Sequence, residues 1–66
     1  MNILITGIHG FVGTNLVKAL GEEHRIWGLD IVQKSVPNLI QTYSWAELDS
    51  LPNDEISKID VVIHLA

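Results

Sequence analysis

The fold is decided by the stretch MNILITGIHGFVGTNLVKALG, Met1 to Gly21. Ile3, Leu4 and Ile5 form a continuous apolar run with a β-branched bias, the pattern of a strand buried on both faces of a parallel sheet. Thr6-Gly7 ends that run, and Gly7, Gly10 and Gly13 follow at three-residue intervals. An amphipathic helix is expected to open on the last of them. Val12, Leu16, Ala19 and Leu20 recur at helical spacing with Val17 beside them, Thr14, Asn15 and Lys18 lie toward the other face, and Gly21 supplies the stop. A strand that turns abruptly into a helix aims free N–H groups and a positive dipole end at whatever lies over the turn. A diphosphate is the natural occupant, and glycine permits both the turn and its close approach. The triplet alone also fits a turn, a loop residue and a helix–sheet contact with no ligand. No Lys-Ser or Lys-Thr follows Gly13, so a nucleoside-triphosphatase loop has little support.

Context strengthens the dinucleotide reading. His24 to Asp30 reads as a second strand in which Ile26 and Leu29 supply apolar packing. Gly28 within it either avoids a neighbouring backbone or is a plain packing glycine. Strand, helix, strand makes a right-handed crossover, so the two strands are expected to be parallel neighbours. Asp30 stands about 20 residues past the glycines, where the dinucleotide fingerprint expects an acid. A carboxylate there can accept hydrogen bonds from the adenosine ribose hydroxyls. It would repel a 2′-phosphate by a few kcal/mol at an effective dielectric near 20, which favours NAD over NADP. The plainer role for Asp30 is to start a loop. Lys34 is the only nearby base that could reverse the preference, and it also reads as a solvated loop lysine.

The spacing Thr-Gly-x-x-Gly-x-x-Gly from Thr6 to Gly13, with Phe11-Val12 before the last glycine, resembles the extended short-chain dehydrogenase/reductases, the NAD-dependent sugar epimerase/dehydratase group. Asp60-Val-Val-Ile-His-Leu-Ala66 is similar to that family's fourth-strand signature. The resemblance covers both ends of the chain and most of its length. It implies an α/β fold, the N-terminal half of a Rossmann-type doubly wound parallel sheet with strand order 3-2-1-4, and NAD as cofactor. Gly7, Gly10, Phe11, Val12 and Gly13 would surround the pyrophosphate, Asp30 and Ile31 the adenosine ribose, and Leu65 and Ala66 the path toward the nicotinamide. In the family the third strand ends in an aspartate and an aliphatic residue that meet the adenine. Ser44 and Trp45 stand there instead. A serine hydroxyl can still accept a hydrogen bond and an indole can cover a purine, but Trp45 also reads as packing under a loop.

Sixty-six residues make one domain at most, and so short a chain buries only about 60% of its unfolded surface. Yet 47% of the residues are hydrophobic, so some apolar surface is expected to meet more protein. With no cysteine, neither a disulfide nor a thiolate metal site can compensate for a small core. Eight acids against four bases give a net charge of −4 with no basic cluster, which argues against nucleic acid as a partner. The first apolar run is too short for a signal peptide or a membrane span, so a cytoplasmic protein without membrane contact is expected.

The rest of the chain reads as connectors and two further strands. Ile31 to Asn38 is a loop closed by Pro37-Asn38, and Leu39 to Ser44 a short third strand. Ala46 to Leu51 is one or two helical turns stopped by Pro52, with Leu48 and Leu51 inward. Asn53 or Asp54 caps a second short helix through Lys58 that buries Ile56 and Ile59. Val61 to Ala66 is the fourth strand, apolar on both faces, and such an edge aggregates unless covered. Residues 1–66 are therefore expected to be the N-terminal piece of a longer NAD-binding domain. His64 reads as structural, hydrogen-bonded to backbone; His9 could reach a phosphate only when protonated, and His24 is a surface residue. No pair of histidines has metal-ligand spacing.

By resemblance, the function is that of a sugar-nucleotide epimerase or dehydratase, an isomerase or oxidoreductase that removes a hydride from a sugar carbon and returns it. A nucleotide sugar would be its substrate and a homodimer its plausible assembly. Members use a Ser or Thr with a Tyr-x-x-x-Lys pair, absent from these residues: Tyr43 is the only tyrosine and Glu47 stands four places on. The alternatives are a non-catalytic, redox-sensing dinucleotide module of the same superfamily and an inactive truncation.

Overall fold

The computed structural model describes residues 1–51 and 53–65. Four parallel strands make one sheet in the order β3-β2-β1-β4: β1 (Asn2–Thr6), β2 (Arg25–Leu29), β3 (Gln41–Tyr43) and β4 (Val61–His64). β1 is central, with Ile5 opposite Gly28 on one side and Ile63 on the other. The α/β architecture and the 3-2-1-4 order are those expected of half a Rossmann sheet. β2, β3 and β4 are shorter than the segments expected for them, whereas β1 extends one residue beyond Ile3-Leu4-Ile5 at each end.

The helix α1 (Phe11–Leu20) begins just after Gly10, so the glycine expected to open it, Gly13, sits inside its first turn. This shift rotates the inward face. Gly13 and Val17 are buried, Leu16 and Leu20 are half-buried, and Val12 and Ala19 face outward. Gly13 governs the outcome: a β-carbon there would lie 2.4 Å from the carbonyl oxygen of Ile8, so only glycine lets the helix sit against the turn. Gly21 ends the helix without a left-handed residue, at φ −68°; the side chain of Asn38 occupies the space beside it. Gly28 faces the side chain of Ile8, not a neighbouring backbone, which resolves that residue as a packing glycine.

The core lies between the sheet and α1. Ile3, Ile5, Ile8, Val17 and Ile26 form it, with Leu16, Leu20, Val36, Leu39 and Ile63 packed around them. Fully burying an isoleucine is worth about 1.5–3 kcal/mol. Val36 and Leu39 come from the segment between β2 and β3, so this loop covers the same side of the sheet as α1. Asn38 turns it at φ 68°, and the Ile40 N–H donates to the Ile26 carbonyl at 2.8 Å.

The opposite face carries a 3₁₀ helix (Trp45–Ser50) and the short α2 (Asn53–Ser57). The first is 3₁₀ and starts one residue before the expected Ala46; its expected stop, Pro52, lies outside the described residues. Ile56 is exposed rather than buried, because so short a helix does not close over the sheet. An apolar groove of about 320 Å³ results, between Leu4, Trp27, Tyr43 and Val62 of the strands and Leu48, Leu51, Ile56 and Ile59 of the connector.

Candidate functional site

The site forms where β1, β2 and β4 end. Gly7 takes a left-handed conformation, φ 69°, which favours glycine, and its N–H donates to the Leu29 carbonyl at 2.8 Å. The turn closes through the Gly10 N–H donating to the Gly7 carbonyl at 3.1 Å. Gly10 then stands at the N-cap of α1, where no side chain caps the helix and no acid occupies the first turn. Without such a cap among the described residues, the positive end of the helix is open to an anion.

Two clefts that share Gly7, Gly10 and Leu65 lie over this turn. One, of about 340 Å³, lies between Gly7, His9, Gly10, Asp30, Ile31, Val32, Lys34 and Leu65. The other, of about 220 Å³, lies between Gly7, Gly10, Phe11, Val12, Gly13 and Leu65. The glycines, Phe11, Val12, Asp30, Ile31 and Leu65 are therefore brought together. Lys34 joins them in the Asp30 cleft. Ala66 lies outside the described residues. Ser44 and Trp45 stand at the end of β3 and are not among the described residues lining either cleft.

Asp30 ties the site together. Its Oδ2 accepts the His9 backbone N–H at 2.9 Å and its Oδ1 accepts the Val32 N–H at 3.1 Å. Burial pushes its pKa up, but the backbone N–H groups of His9, Val32 and Ile31, with the nearby His9 ring, outweigh it and leave the group below the usual carboxylate value. A carboxylate offers about four lone-pair sites, so even with these backbone N–H groups bound Asp30 keeps acceptor capacity for a hydroxyl group.

Several contacts carry signals that the spacing of the glycines does not. Thr6 ends β1, and its Oγ1 lies 2.7 Å from His64 Nδ1 and accepts the Leu65 N–H at 3.0 Å. His64 is thus held by a side chain rather than by backbone. The Leu65 N–H also donates to the Thr6 carbonyl at 3.2 Å, which fixes Leu65 over the turn. The His9 ring is engaged with β3 and the loop before it, with Nε2 2.9 Å from Thr42 Oγ1. Ser44 is the N-cap of the 3₁₀ helix: its Oγ accepts the Glu47 N–H at 3.2 Å, and its N–H donates to Glu47 Oε1 at 2.9 Å. The sequence Ser44-Trp-Ala-Glu47 has the form of this capping box. Burial first, then the charges of Glu55 and Glu47, push the Tyr43 hydroxyl above its ordinary value, so it holds its proton more firmly than a free tyrosine. Among the described residues no cluster of His, Cys, Asp and Glu could hold a metal, and no helix is long and apolar enough to cross a membrane.

A parallel sheet of this order, a glycine turn opening a helix at its C-terminal edge and an acid on the next strand define a Rossmann-type nucleotide-binding protein. Residues 3–66 match the family model described as NAD dependent epimerase/dehydratase family, and the chain belongs to that family. Membership implies a nicotinamide dinucleotide cofactor. No curated protein and no solved structure matches the chain.

Proposed function

We propose that this chain is the cofactor-binding part of an NAD-dependent sugar-nucleotide epimerase or dehydratase. The observation that carries the reading is the N-terminus of α1, without a side-chain cap, beside two clefts that share Gly7, Gly10 and Leu65 and one of which holds the Asp30 carboxylate. A helix N-terminus attracts a diphosphate by about 0.3–2 kcal/mol, depending on burial, and Asp30 accepts ribose hydroxyls on the same wall. Phe11 and Val12 flank the pyrophosphate, and Leu65, in the same cleft, supplies apolar surface on the path toward the nicotinamide. When bound, the nicotinamide takes up and returns a hydride; the residues of this chain bind and orient it. A nucleotide sugar is the substrate class, a homodimer the assembly and the cytoplasm the setting that go with this reading.

Calorimetric titration with NAD and NADP tests it. Saturable NAD binding, tighter than NADP binding, is expected. A folded protein that shows no saturable NAD binding sinks the proposal.

A further inference from the structure

His9 projects from the glycine turn, and its ring reaches two other parts of the fold. Nε2 lies 2.9 Å from Thr42 Oγ1 on β3 and accepts the Lys34 backbone N–H at 3.2 Å. An amide N–H can only donate, so Nε2 is the acceptor of the Lys34 bond, and the Thr42 hydroxyl lies within reach of both Nε2 and the Lys34 carbonyl, the latter at 3.4 Å. The backbone N–H of the same residue binds Asp30 Oδ2. His9 therefore joins the turn after β1 to the end of β2, to the β2–β3 loop and to β3. The loop segment Ile31–Ser35 is exposed throughout. Its Ile31, Val32 and Lys34 nevertheless form a wall of the Asp30 cleft.

We propose that His9 is a positioning residue which fastens the Lys34 segment of the β2–β3 loop beside the cleft and so sets affinity for the adenosine end of the dinucleotide. The inference rests on the cofactor reading above. Loss of the ring would free the Lys34 N–H and leave the loop tied to the turn only through Asp30, whose Oδ1 accepts the Val32 N–H and whose Oδ2 accepts the His9 N–H.

The test is NAD titration with hydrogen exchange of the Lys34 amide, on the wild type, His9→Phe, His9→Gln and Thr42→Val. His9→Phe should bind about tenfold more weakly than the wild type, the worth of one or two neutral hydrogen bonds, with the Lys34 amide unprotected. His9→Gln, whose amide oxygen can accept the Lys34 N–H, should recover part of both. Thr42→Val should fall between the wild type and His9→Phe. NAD binding and amide protection in His9→Phe that match the wild type would overturn the proposal while leaving the cofactor reading intact. Should His9→Phe not fold, the same unchanged readouts in Thr42→Val overturn it. A folded wild type that binds no NAD overturns the cofactor reading and this proposal with it.

Discussion

The side chain of Ile8 occupies the space above Gly28: a β-carbon at Gly28 would stand 2.5 Å from Ile8 Cγ2 and 2.9 Å from its Cβ. Ile8 is buried among core residues and belongs to the glycine turn, so the contact couples β2 to the turn. Neither partner can give way easily. Gly28→Ala should destabilise the protein by about 1–3 kcal/mol through overpacking. In urea unfolding, Ile8→Ala combined with Gly28→Ala should cost less than the sum of the single changes, since the first makes room for the second. Additive costs would show that the clash is relieved elsewhere.

Asp30 should decide between the two dinucleotides. Asp30→Ala removes charge-assisted bonds worth about 1.5–3 kcal/mol each, so NAD affinity should drop roughly tenfold to a hundredfold. NADP affinity should fall less or rise, because the repulsion of the 2′-phosphate goes with the carboxylate. Parallel titrations with both dinucleotides measure the ratio. A ratio unchanged by the substitution would show that Lys34, in the same cleft, or some other group governs the choice.

The same residue gives stability a dependence on acid. Its folded pKa is depressed, so the unfolded state binds its proton first as pH falls. The stabilisation is fully present above the unfolded value, about 3.9, and is lost as pH falls through the lower folded value. Thermal melts from neutral pH down to about pH 2 should show a fall in midpoint beginning near 4, and a shallower fall for Asp30→Asn. Parallel curves would mean that the backbone N–H groups of His9 and Val32 hold the carboxylate equally in both states.

The capping box offers a separate handle on the connector. Ser44→Ala removes the acceptor for the Glu47 N–H and should cost about 1 kcal/mol. Glu47→Gln keeps the shape but loses the charge that accepts the Ser44 N–H; its carboxyl is held below the ordinary value by that bond, then by the Ser44 hydroxyl. Circular dichroism melts of both variants, and of the pair, should show that the two changes are not additive.

The sheet and the cofactor edge were legible because their signals are local or fixed by spacing. Ile3-Leu4-Ile5, the glycines and Asp30 each carry a constraint that few other residue types meet. The start of α1 was misread because a glycine can serve equally as an N-cap or as an interior residue. Only the approach of the Ile8 carbonyl to Gly13 distinguishes these. The bond between His9 and Thr42, and that between Thr6 and His64, join residues 33 and 58 positions apart, and no periodicity encodes either. Ser44-Trp-Ala-Glu47, by contrast, carried a readable cap whose signal was obscured by the expectation of an adenine contact at Ser44.

The central position of β1 has a consequence for how the protein is made. β1 leaves the ribosome before the other three strands, yet one of its two neighbours, β4, follows 58 residues later, as the pairing of Ile3 with Val61 shows. At about 5–20 residues per second, that strand waits roughly 3–12 s for its second flank. During the wait β2 and α1 can cover one edge and one face, and the other edge of Ile3-Leu4-Ile5 stays open. Of the four strands, the one from which the glycine turn springs is thus made before its neighbours and flanked on both sides only when β4 arrives, and it is where a nascent chain would be receptive to a chaperone or to a stray strand.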